Sequence, residues 1–303
     1  MNHPNHASVS LTSKFMMLVL RLMNIKGKGL ARVKAGKGIN DVSSDAPEPD
    51  TQFRSKHHVE KTQVNGRNVF TLSPLIGSSD AHILYLHGGC YSATFIKEHW
   101  QFMGYLMDQC RCAITAPDYP LLPSATYRDT FAMVEQVYRD MTATVVPDKI
   151  TFMGDSAGGG LALALAQKLA LEHAPQPHQL ILLSPWLDIS MTNPDIWKVA
   201  DRDPLVSAEA CLILARQYAG NSDLSYYQLS PIYGDLTGLG KVSVFTGAID
   251  VLNPDARKLK GLFEAQQITF QYFEYPHMMH VWMLFPLPES MHARRQILDL
   301  LGH

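Results

Sequence analysis

From about residue 69 onward, short apolar runs rich in β-branched residues alternate with longer stretches whose apolar positions recur every three or four residues. That rhythm predicts an α/β fold, a mostly parallel sheet whose strands are joined by crossover helices. The runs place strands at residues 68–72, 82–86, 112–116, 150–153, 179–183, 242–246 and 268–274. Between them, Tyr127, Phe131, Val134, Val137 and Met141 share one helical face while Arg128, Asp129, Glu135 and Arg139 occupy others, the mark of an amphipathic crossover helix. Residues 161–171 are apolar on nearly every face, as expected of a helix buried behind a sheet. Two more helices are predicted over about 254–265 and 288–301.

Two regions break the alternation. In residues 1–55 an apolar helix candidate runs into a glycine- and lysine-rich stretch, followed by a polar, proline-containing loop over 41–50. Residues 187–228 are too long for an ordinary loop and contain a helical run over 208–219. Both read as additions to a sheet domain spanning 56–303, expected to pack together over the active site. The pair His57-His58 has no neighbouring ligand set and reads as a solvated loop. No internal repeat is visible.

Composition narrows the class. The 303 residues are 46% apolar and 18% charged, and the net charge of -2 gives no general attraction to nucleic acid. Cys90, Cys110, Cys112 and Cys211 show neither metal-ligand spacing nor a disulfide framework, so no metal is expected on them and a reducing, cytoplasmic setting fits. The apolar segment 15–23 is short and interrupted by Arg21, too little to span a bilayer and without a convincing cleavage site.

The chemistry centres on Gly154-Asp155-Ser156-Ala157-Gly158, set between the strand run 150–153 and the buried helical run. A G-x-S-x-G between strand and helix puts the serine on a tight turn with its hydroxyl projecting, flanked by glycines because side chains there would collide with neighbouring backbone. A serine hydroxyl needs a base to take its proton and an acid to orient that base. Asp250 follows the strand run 242–246, and His280 lies beyond 268–274 in Pro276-His277-Met278-Met279-His280. The carboxyl ends of parallel strands share one rim, so Ser156, Asp250 and His280 can converge there. His87-Gly88-Gly89-Cys90, after the strand run 82–86, stands where a glycine loop supplies backbone N–H groups to an oxyanion, and the hole is assigned to Gly88, Gly89 and Ala157.

With these motifs in order, the chain resembles the hormone-sensitive lipase family of α/β-hydrolase carboxylesterases. The likeness covers about residues 82–282 and includes Ser184-Pro185-Trp186-Leu187-Asp188, Ser230-Pro231, and Gly247 with Asp250 and Leu252. It implies an eight-stranded, mostly parallel sheet with a helical cap built from the N-terminal helices and the 187–228 insertion. It also implies cofactor-free ester hydrolysis by the triad Ser156, Asp250 and His280, and makes a homodimer reasonable. There are departures: Cys90 stands at the family's third loop glycine, where it should leave the hole intact and narrow the acyl side of the pocket. The proline-rich signature is altered in Asp118-Tyr119-Pro120-Leu121-Leu122-Pro123, and Val281 and Trp282 make a bulkier wall after the histidine.

Several neighbours compete for these roles. His277 lies three residues from His280, which the family pattern favours as the base. Asp255 falls where a helix begins, suiting it to the helix N-terminus and leaving Asp250 as the acid. His87 reads as a loop-stabilising hydrogen bonder, Asp188 as a structural residue by the resemblance, and Asp155 is assigned no chemistry. The apolar run from Phe15 with its adjacent lysines could anchor at a membrane, but the resemblance favours a cap helix, so membrane contact is not expected. The leading reading is a serine carboxylesterase acting on small esters with short to medium acyl chains through an acyl-enzyme. The alternatives are a peptidase or amidase with the same triad, and a noncatalytic small-ligand receptor on the same fold.

Overall fold

The computed structural model describes residues 9–302. In chain order the elements are α1 (Leu11–Leu22), α2 (Ile25–Lys34), α3 (Thr51–Arg54), β1 (His57–Val64), β2 (Arg67–Pro74), β3 (His82–Leu86), α4 (Lys97–Cys110), β4 (Ala113–Pro117), α5 (Tyr127–Thr142), β5 (Ile150–Asp155), α6 (Ala157–Leu171), β6 (Gln179–Leu183), α7 (Pro194–Val199), α8 (Ala208–Ala219), β7 (Lys241–Gly247), α9 (Asn253–Ala265), β8 (Phe270–Tyr275) and α10 (Pro288–Leu300). The strands form one eight-stranded sheet in the order β1-β2-β4-β3-β5-β6-β7-β8. From β4 to β8 all pairings are parallel; β1 and β2 are antiparallel at one edge. The seven strands expected from apolar runs are all present, with ends within two residues of the expected ones.

Each face of the sheet carries its own core. One is filled from α5, α6, α8 and α9, with Phe131, Val134, Leu163 and Leu259 buried. The other is filled from α4 and α10, with Phe102, Leu106 and Ile297 buried. Strands β5 and β6 are buried along their whole length because both faces are covered, which is why they read in sequence as unbroken apolar runs.

The N-terminal helices and the 187–228 insertion touch. Helix α2 packs against α8, with Lys34 Nζ 2.7 Å from Glu209 Oε1. Arg21 Nη2 donates to the Arg202 carbonyl at 3.0 Å. The inner side of α1 is fixed to α10, where the Ser10 N–H donates to Glu289 Oε1 at 2.7 Å and the Ser13 hydroxyl to Glu289 Oε2.

The expectation of a solvated loop at His57-His58 is corrected. Both residues open β1; His57 is buried, its Nε2 2.9 Å from Asp108 Oδ1 and its ring against Phe53, while His58 faces outward as a strand's alternation requires.

Candidate active site

Strand β5 delivers Ser156 to the sheet's carboxyl rim. Ser156 adopts φ 53° and ψ -120° between the last strand residue and the first turn of α6, a conformation held because its surroundings over-determine it. Its N–H donates to the Leu183 carbonyl at 2.9 Å, continuing the β5–β6 pairing, and its carbonyl accepts from Trp186 N at 2.8 Å and Gly160 N at 3.1 Å. A Cβ on Gly158 would stand 2.0 Å from the Leu86 carbonyl oxygen, so the helix can approach β3 only with glycine there. The residue is buried at 5% exposure, leaving a hydroxyl in a confined setting.

Asp250 and His280 meet. His280 Nδ1 lies 3.0 Å from Asp250 Oδ1, which also accepts from the Leu252 N–H at 2.9 Å. That bond fixes the imidazole with Nδ1 as donor and frees Nε2 for the other role of a triad histidine. The strand-end loops are stitched together around the pair: Val281 N donates to Ser184 Oγ at 3.1 Å, and Ser184 directly follows the β6 residue to which Ser156 is bonded. No hydrogen bond joins the Ser156 hydroxyl to His280 itself. Such bonds are often long without substrate and tighten in the reacting complex.

A third buried acid, not anticipated from sequence, completes this corner. Asp203, from the insertion, has oxygens within 4.8 Å of ligand-type atoms of Asp250 and His280. Its Oδ2 accepts from Val251 N at 3.0 Å and its Oδ1 from Leu205 N at 2.9 Å and Val206 N. Burial, then the negative charge of Asp250, pushes the Asp203 carboxyl up to about 6. Burial disfavours the charged imidazole, but the Asp250 carboxylate, its hydrogen bond, and the Asp203 and Cys90 groups outweigh it and raise His280 to about 9. The three donors sit close enough to meet a cation, yet Asp203 already accepts three amides and His280 Nδ1 is bonded to Asp250, so the set is committed to itself.

The glycine loop departs from expectation at one donor. The Gly88 N–H donates to Asp155 Oδ1 at 3.1 Å inside the protein and is spent there. The N–H groups of Gly89, Cys90 and Ala157 have no partner among the described residues. Gly89 and Cys90 both have positive φ, 111° and 52°, so the loop turns sharply at these two residues. Gly88 N–H, expected to be an oxyanion donor, is thus engaged by Asp155, while those of Gly89, Cys90 and Ala157 are unengaged among the described residues.

Asp155 is the hub of that loop. It accepts from the Tyr85 hydroxyl at 2.7 Å, from Gly88 N, and from His99 Nε2 at 3.3 Å. His99 Nδ1 accepts from Ile96 N at 3.0 Å, so Nε2 is the nitrogen that carries a proton toward Asp155. Burial opposes the Asp155 charge, but His99 and Tyr85 hold the carboxyl below its ordinary range.

The competing residues settle elsewhere. His277 is exposed, while His280 is buried against Asp250. His87 is lowered to about 4 by burial, stacks on the Tyr119 ring at 4.2 Å and bonds the Gly88 carbonyl, a loop brace and not a base. Asp255 lies in the first turn of α9 and accepts from Asn193 Nδ2 at 2.8 Å. Asp188 braces its turn by accepting from Ser190, Thr192 and Tyr233. Helix α8 reaches the glycine loop through Cys211, whose Sγ is 3.9 Å from that of Cys90, and Tyr218, which stacks on Tyr91 at 3.8 Å.

Comparison with known proteins places this geometry. Residues 83–284 match the alpha/beta hydrolase fold family. An acetyl-hydrolase of Streptomyces hygroscopicus is 32% identical over 216 residues, covering 70% of this chain and 72% of that enzyme. An esterase of Acinetobacter venetianus is 27% identical, covering 72% and 73% respectively. Among solved structures, an esterase from the bacterial hormone-sensitive lipase family superposes with a TM-score of 0.77 at 27% identity, over 92% of this chain and 97% of that one. The chain belongs to the alpha/beta hydrolase fold family, among the carboxylic ester hydrolases of the hormone-sensitive lipase group.

Proposed function

We propose that the protein hydrolyses small carboxylic esters with short to medium acyl chains through an acyl-enzyme on Ser156. The observation that carries this reading is the buried His280–Asp250 hydrogen bond of 3.0 Å on the rim where the Ser156 turn lies. Ser156 Oγ attacks the ester carbonyl as its proton passes to His280 Nε2. Asp250 holds the imidazole tautomer and stabilises the imidazolium. The oxygen that becomes negative is met by the amides of Gly89, Cys90 and Ala157. Collapse expels the alcohol, which takes the proton from His280, and water activated by the same histidine releases the acid.

Two features support a small acyl group. Cys90 and Cys211 press together at the glycine loop, where glycine would leave room. Relatives include a protein named acetyl-hydrolase. The contact of α2 with α8, and of α8 with the glycine loop, supports reading the N-terminal helices and the insertion as a cap over the pocket.

The test is hydrolysis of p-nitrophenyl esters of graded acyl length, with Ser156→Ala as control and matched amides as competing substrates. The expected result is a maximum at short to medium chains, abolished in the control, with a phosphonate adduct on Ser156 at one per chain. Hydrolysis that survives Ser156→Ala would overturn the mechanism.

A further inference from the structure

Helix α1 has two apolar faces. The inner one, with Met16, Met17 and Leu20, packs on the core below α10. The outer one consists of Leu11, Phe15, Leu18 and Leu22, exposed by 82, 68, 51 and 77%. Their spacing of four, three and four residues lines them up as one stripe along the helix. A helix already docked by one apolar face ordinarily turns polar groups outward, so a second, contiguous apolar stripe calls for an occupant.

The charges around the stripe indicate which. Residues 1–40 hold seven basic residues and no acidic one, so all 28 acidic residues lie beyond. At 100° per residue, Lys14 and Arg21 run together along one flank of the stripe. Neither forms an ion pair among the described residues, whereas Lys26, Arg32 and Lys34 do. Lys14 and Arg21 continue into a cleft of about 430 Å³ that they line with Arg202, His277 and Ile249, and no carboxylate among the described residues lines it. Ile249 adjoins Asp250, so the basic cleft opens beside the loops that carry the proposed acid and base.

We propose that the outer face of α1 docks on an anionic lipid surface, with Leu11, Phe15, Leu18 and Leu22 entering the acyl region and Lys14, Arg21 and Arg202 meeting the lipid phosphates. An apolar stripe flanked by cations lies in the membrane plane, gaining both from apolar burial and from the negative surface potential. A second copy of the chain fits less well, because an isologous contact with the two α1 helices antiparallel would bring Lys14 and Arg21 against the same cations of the partner. This use of α1 does not need the helix to span: no helix among the described residues is long and apolar enough to cross a membrane. It is compatible with the inner face serving the cap.

The test is co-sedimentation of the full chain with vesicles of phosphatidylcholine alone and of phosphatidylcholine mixed with phosphatidylglycerol. The wild type should bind the mixed vesicles roughly tenfold or more above the neutral ones, and raised salt should weaken that preference. The variant Leu11→Ser/Phe15→Ser/Leu22→Ser should lose binding to both, and Lys14→Glu/Arg21→Glu should lose the anionic preference. These side chains project into solvent, so each variant should melt cooperatively within a few degrees of the wild type. Absence of wild-type binding, or a triple-serine variant that binds as well as the wild type, overturns the proposal. A wild-type dimer that the triple variant dissolves, with no vesicle binding by either, would assign the face to a second copy instead.

Discussion

Asp203 and Asp250 press two buried carboxylates against one imidazole, and the backbone N–H next to Asp250, that of Val251, is held by Asp203. The insertion thus reaches the proposed acid directly and adds a second negative charge beside His280. At neutral pH both carboxylates favour the imidazolium. A general base must be neutral to accept a proton, so kcat/KM should rise with pH through a value near 9. Asp203→Asn removes one of the charges and should move that limb down by about two pH units or more, the size of a single charge within 4.8 Å in an effective dielectric of about 20. A profile in which the limb stays put while the variant melts normally would reduce Asp203 to a brace for the Val251 loop.

The same linkage predicts a cost in stability. The folded-state pKa of His280 lies above the ordinary 6.5, so its contribution is complete below about 6.5 and is lost as pH rises through about 9. Ester hydrolysis and resistance to unfolding should therefore move in opposite directions across that window. Melting temperature followed from pH 6.5 to 9.5 should fall by several degrees more in the wild type than in His280→Gln, which titrates no proton there.

Asp155 shows why the residue inside the nucleophile motif matters without entering the chemistry. It joins β3, the glycine loop and α4 through Tyr85, Gly88 and His99, all from a site at 2% exposure. Asp155→Ala would leave those donors facing a void. Unfolding free energy should drop by about 3–5 kcal/mol in urea titration, as for one partner removed from a buried charged network. Turnover should fall as well, since Gly88 then no longer anchors the loop that supplies Gly89 and Cys90.

The parts of this architecture legible in the sequence are those decided by local pattern. Central strands such as β5 announce themselves because both faces are buried, and the nucleophile turn because only glycine fits beside it. Edge strand β1 leaves no apolar run because its residues after His57 face mostly water; its signal is Asn65-Gly66, whose φ values of 50° and 74° make the tight turn to β2. Asp203 is not legible this way, because its meaning comes from an insertion folding back onto a loop 48 residues later. The engagement of the Gly88 N–H is equally hidden, since it depends on where Asp155 points.

Two glycines separate packing from propensity. At Gly158 a methyl group would meet the Leu86 and His87 carbonyls at 2.0 and 2.5 Å, whereas Gly261 in α9 has nothing within 4 Å. Gly261→Ala should stabilise by about 0.5–1 kcal/mol through helix propensity. Gly158→Ala should cost several times as much, about 3 kcal/mol or more, because backbone must move at the proposed nucleophile. Urea midpoints of the two variants, measured side by side, check both signs.

Cys90 offers a direct handle on acyl preference. Its backbone lies at φ 52°, where glycine is at ease, and its side chain meets Cys211 of α8 at 3.9 Å. Cys90→Gly keeps the amide proposed for the oxyanion and deletes only the thiol, which is proposed to narrow the acyl side of the pocket. Relief of the positive φ offsets part of the lost burial, so stability should change by no more than about 1 kcal/mol. The ratio of kcat/KM on a medium-chain ester to that on an acetyl ester should then rise by roughly 10-fold, the discrimination available from one or two methylenes in an apolar pocket. An unchanged ratio, with both rates retained, would mean that the acyl chain runs elsewhere and that the Cys90–Cys211 contact is packing alone.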